Sequence, residues 1–68
     1  MAVTKIIEVV GSSPESSDGA AMAALEEARK SLRNIKAVDV VSTGLRGDDL
    51  SEWRALVRIS FLVERVSE

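Results

Sequence analysis

Apolar and polar residues first follow a strand pattern, in Val3 to Val10 (VTKIIEVV), a run rich in β-branched residues and too short for a free-standing helix. Lys5, Ile7 and Val9 fall on one side and Ile6, Glu8 and Val10 on the other, so both faces of this strand are largely apolar. Gly11 is expected to end it. From Ser16 to Ile35 (SSDGAAMAALEEARKSLRNI) the period changes: Ala21, Leu25, Ala28, Leu32 and Ile35 recur at a 4-3-4-3 spacing, which draws one apolar stripe along a helix. Glu26, Glu27, Arg29, Lys30 and Arg33 occupy the other side, acids before bases, as the macrodipole and i to i+4 pairing favour. Alanines on and beside the stripe predict close approach to a flat neighbour, and Leu25 and Leu32 are the expected buried anchors. Strand-like sequence returns from about Ala37 to Arg46, with Asn34 closing the helix, and again in Glu52 to Glu64 (EWRALVRISFLVE).

In the last segment Trp53, Ala55, Val57, Ile59, Phe61 and Val63 form an unbroken apolar set at period two, which should face the helix. The short polar connection Arg46 to Ser51 predicts a hairpin between the second and third strands. A right-handed crossover makes strands one and two parallel, and the third fits between them. The predicted fold is α+β, β-α-β-β, with a three-stranded antiparallel sheet in order 1-3-2 packed on one helix. Its other face then carries Ile6, Glu8, Val10, Ala37, Asp39, Val41, Leu45, Arg54, Leu56, Arg58 and Leu62, too apolar a set to stand open to water. That face is the predicted interface.

Composition sharpens this picture. The chain of 68 residues makes one domain, 1–68, and so short a chain needs help from disulfides, metal or oligomerisation. With no cysteine and no histidine, oligomerisation is the route left open. A net charge of -2 predicts neither a nucleic-acid nor a membrane partner. No apolar run approaches a membrane span and no charged-then-apolar leader precedes the first strand, so a cytoplasmic location is the expectation. No histidine or cysteine is present, and no Ser or Lys stands beside a recognisable base, so an enzyme is not expected.

Candidate chemistry is sparse. The GSSPESSDG segment has no P-loop lysine and reads as a capped turn, with Ser16 placed to cap the helix and Gly19 standing where a capping box would have Glu or Gln. Asp48 and Asp49 at the hairpin tip, with Glu52 near by, offer hard oxygen ligands of the kind calcium or magnesium takes, although a solvated acidic turn is the simpler reading.

The segments KIIEVVGSSPES, LEEARKSLRNIKAVDVV and EWRALVRISFLVE, in this order and spacing from Lys5 to Glu64, resemble the dodecins. The resemblance implies a β-α-β-β subunit that assembles with itself into a hollow dodecamer. It also implies flavin (riboflavin or FMN) bound in pairs between subunits and stored rather than turned over. Members that bind flavin stack it on a Trp at the start of strand two and hydrogen-bond its edge through a Gln in strand three. Those positions fall at Ala37 and Arg54, both on the face away from the helix. Ala37 offers no ring to stack, and Arg54 has donors but no acceptor oxygen. Trp53, one residue away, points to the opposite face and reads as core. The preferred expectation is a dodecin-like shell that binds another small ligand or ion, or is purely structural. A flavin-storing dodecin is the alternative.

Overall fold

The computed structural model describes residues 2–64. β1 spans Ala2–Ser13, α1 Ser17–Arg29, β2 Ile35–Arg46 and β3 Glu52–Glu64. The strands form one sheet in the order β1-β3-β2, with β3 antiparallel to both neighbours. This is the predicted α+β arrangement, and the long third strand takes the centre because it has the largest apolar set to bury.

The helix starts where its capping chemistry lies. Ser16 is the N-cap, and its Oγ accepts a hydrogen bond of 2.9 Å from the Gly19 amide, satisfying one of the orphan donors of the first turn. The absence of a side chain at Gly19 also has a local cause: a Cβ there would lie 2.8 Å from the Ser13 hydroxyl.

The helix is shorter than the sequence predicts. It ends at Arg29, where the amides of Lys30 and Ser31 reach back only three residues, to Glu27 and Ala28, at 3.2 Å each. Asn34 then turns the chain at a φ of 61°, and its carbonyl accepts from the Leu62 amide at 3.0 Å. Leu32 therefore lies in the connection and Ile35 opens β2. Both still pack against the core, which is why they continued the helical stripe in the sequence.

The buried set is also different from the expected one. Among the described residues the core consists of Ala20, Ala24, Ala28, Ala55, Val57 and Ile59, while Leu25 and Leu32 are only half-buried. The alanines, four apart, form the seam along which the helix meets the sheet. Gly11 lies beneath that seam. It does not end β1 but is buried within it, because a Cβ at this position would sit 2.0 Å from the Ala20 carbonyl oxygen and 2.8 Å from the Ala24 amide nitrogen. Trp53 is half-buried and packs against the core, as its parity predicts.

Register decides the faces. Gly11, Val9 and Ile7 pair with Ala55, Val57 and Ile59, and from the other side Val38 and Val40 pair with Ile59 and Val57. β2 carries an extra residue between Val40 and Ser42, so that Leu45 pairs with Trp53 and shares the helix side. Leu45 is thus removed from the predicted interface, because a one-residue insertion reverses the facing of every later residue. A second irregularity at Lys36 leaves Ala37 opposite Ser60, on the face away from the helix.

Candidate functional site

The sheet face opposite the helix has no cover within the protomer. Ile6 and Val10 are each 58% exposed, and Val41 is exposed beside them. At the middle of this face Arg58 stands between Glu8 on β1 and Asp39 on β2. It donates from Nη2 and Nε to Glu8 Oε2, at 2.7 and 3.1 Å. Both partners are exposed, so the pair fixes side-chain positions more than it stabilises the fold.

Ala37 and Arg54 both lie on this face and both are exposed. They do not meet in one protomer. Ala37 is opposite Ser60 and Arg54 is opposite Gly44, six residues apart along β3, or about 20 Å at ordinary strand rise. A ligand touching both would have to bridge two copies of the chain. Beside Ala37 an open groove of about 450 Å³ runs past Leu25, Arg29, Leu32 and Lys36. This groove lies at the helix side of β2 and has no aromatic residue in its lining.

The acids of the hairpin do not form an ion cage. Asp49 Oδ1 accepts from Ser51 Oγ at 2.7 Å, and this bond is the main cause holding the Asp49 carboxyl below its usual range. Glu52 is held low first by the Ser12 side chain and then by Arg54, whose Nε lies 3.2 Å from Glu52 Oε2. Gly47, at φ 100°, and Leu50, at φ 55°, build a turn closed by the Leu50 amide donating to the Gly47 carbonyl at 3.1 Å. Among the described residues no group of three carboxylates is placed to share one metal ion within a protomer.

Sequence parity missed one residue that the structure brings to this face. Counted straight, Arg46 falls on the helix side, whereas the bulge before Ser42 turns it over to pair with Glu52, next to Arg54. A small pocket of about 220 Å³ results, walled by Val10, Gly44, Arg46, Arg54 and Leu56. A pairing scheme that allowed for a bulge could have found it, but nothing in the local sequence of β2 marks where the extra residue sits.

Comparison with known proteins follows from this geometry. Residues 3–64 match the family model described as Dodecin. A structure of a Thermus thermophilus dodecin variant is 33% identical, with a TM-score of 0.84 over 96% of this chain and 100% of that one. Dodecin from Streptomyces coelicolor is 25% identical, with a TM-score of 0.87 over 96% of each chain. A Mycobacterium tuberculosis protein described as a calcium-chelating antigen, calcium dodecin, with a novel calcium-binding site, is 31% identical, with a TM-score of 0.81 over 97% of this chain and 96% of that one. No curated protein matches the sequence.

Proposed function

Because the chain belongs to the dodecin family, we propose that it assembles with itself into a hollow dodecameric shell that holds a small ligand between subunits without turning it over. The observation that carries this reading is the uncovered sheet face, on which Ile6 and Val10 remain 58% exposed beside Ala37 and Arg54. A second copy laid on that face would remove the exposed side chains from water and complete a site to which one protomer contributes only half.

The ligand we propose is not a flavin stacked in the family's manner. Ala37 supplies no ring, and Arg54 supplies donors where a flavin edge also needs an acceptor. Riboflavin or FMN storage is the second reading, favoured by membership of the family. An ion is a further option within the first reading. Calcium is the one to test, since the M. tuberculosis relative is described as a calcium dodecin. Asp48, Asp49 and Glu52 would then need carboxylates from another copy to complete the coordination.

Titration with riboflavin, followed by flavin fluorescence, tests the ligand argument. The unaltered protein should leave the fluorescence almost unquenched. The double substitution Ala37→Trp with Arg54→Gln should restore quenching, and each single change should recover less than the pair, because platform and edge contact act on one ligand. Tight riboflavin binding by the unaltered protein, abolished by Arg54→Ala, would overturn the argument.

A further inference from the structure

We propose that the row of Glu8, Arg58 and Asp39 across the open sheet face makes self-association through that face acid-labile and base-resistant; this rests on the reading that a second copy covers the face. The row follows from register. Arg58 on the central strand is opposite Glu8 on β1 and Asp39 on β2, so one guanidinium stands between two carboxylates. Nη2 and Nε of Arg58 both donate to Glu8, at 2.7 and 3.1 Å, whereas Asp39 forms no ion pair among the described residues. Ile6 and Val10 flank Glu8 on β1, Leu56 follows the same face of β3, and Ala37 stands next to Asp39 on β2. A copy that covers these apolar side chains must take the charged row out of water with them.

The charges on this face respond unequally to pH. Every cation that the pairing places there, Arg58 with Arg46 and Arg54 toward the hairpin, is an arginine, which keeps its charge at any pH the fold meets. Lys5 pairs with Phe61 on the helix side, and Lys36 lines the helix-side groove. The acids of the face are Glu8 and Asp39 at its middle, with Glu52 and Glu64 toward its two ends. Acid therefore discharges one side of the row and leaves the other charged. With both carboxylates neutral, a covered Arg58 is a buried cation without a counter-charge, and removing one partner of a covered ion pair costs far more than the pair contributes. The separated protomer returns Arg58 to water and takes up the same protons without that cost. The separated form thus binds more protons, and assembly weakens as pH falls. Base removes no charge from the row.

The test is light scattering on the full chain at several subunit concentrations, from about pH 3 to about pH 10. The oligomer mass of the unaltered protein should hold from neutrality to the alkaline end and fall below about pH 5, where carboxylates take up protons. The midpoint of that step should move to lower pH as subunit concentration rises, as dissociation does and unfolding inside an intact protomer does not. Added sodium chloride should move it the same way, by screening the arginines left unbalanced. Arg58→Gln should reverse the sign: it leaves two unbalanced carboxylates at neutrality, so it should assemble about tenfold or more weaker than wild type there and recover as acid neutralises them. Glu8→Gln combined with Asp39→Asn should assemble weakly at every pH and lose most of the acid step. A structural role for Arg58 alone predicts no such reversal. Should the variants fail to fold, the acid step of the wild type and its dependence on concentration and salt decide. A mass unchanged down to about pH 3, a midpoint independent of concentration, or a folded Arg58→Gln with the wild-type pH profile would overturn the proposal. A monomer at neutral pH sinks the assembly reading and this one with it, whereas an oligomer indifferent to acid sinks this one alone.

Discussion

At Gly11 the fold depends on the absence of a single carbon atom. A methyl group there would meet the Ala20 carbonyl at 2.0 Å and the Ala24 amide at 2.8 Å, both backbone atoms that cannot swing aside. Gly11→Ala should therefore lift the helix and cost about 1–3 kcal/mol or more, the range for overpacked cores. Denaturant unfolding at fixed subunit concentration measures this, and an unchanged midpoint would mean that the helix does not cross the sheet at this point. Glu52 shows a weaker effect of the same scale. Its carboxyl is held below the ordinary value of 4.5 by Ser12 and then Arg54. A depressed carboxylate contributes stability above its unfolded pKa, and that contribution is lost as pH falls through the folded value. Glu52→Gln should flatten the acid limb of the stability profile below about pH 4.5 and leave the profile near neutrality unchanged in slope. The same acid limb in mutant and wild type would contradict the Ser12 and Arg54 contacts.

Between elements, what could be read from the sequence was what neighbouring residues determine. The three strands, their 1-3-2 order, the Ser16 cap and the inward set Trp53, Ala55, Val57 and Ile59 all follow from period and turn chemistry. The end of the helix did not, because Leu32 and Ile35 pack on the core after the chain has left the helix, and so mimic its stripe. Nor did the facing of Leu45 and Arg46, because the bulge before Ser42 is fixed by pairing with β3 and not by the residues of β2 alone. Asp48, Asp49 and Glu52 are near one another in sequence, but among the described residues no three such side chains group within one protomer. Two substitutions test the helix as it stands. Ser16→Ala removes the bond to the Gly19 amide and should cost about 1 kcal/mol. Leu25→Ala should cost less than about 2 kcal/mol, below the range of a fully buried leucine, because Leu25 is half-exposed. A larger loss for Leu25→Ala would show that this face is covered in the assembly.

The whole molecule is a thin body of 55 × 19 × 15 Å in which one helix covers one side of one sheet. Among the described residues four of the six core residues are alanine, so the apolar area removed from water inside a protomer is small for a chain of 68 residues. The described residues contain no helix long and apolar enough to cross a membrane, and Ile6, Val10 and Val41 are exposed on the open face of the sheet, where another copy can cover them. Stability and ligand binding should then depend on the same contacts, with Arg58 and Glu8 at the middle of the face and Ala37 and Arg54 toward its two ends. The measurement that tests this most directly is light scattering on protein incubated with riboflavin and passed through a sizing column, with visible absorbance recorded in line. The account predicts a dodecamer that elutes without flavin at micromolar concentration. A monomer, or a shell that carries flavin in stoichiometric amount, would contradict it.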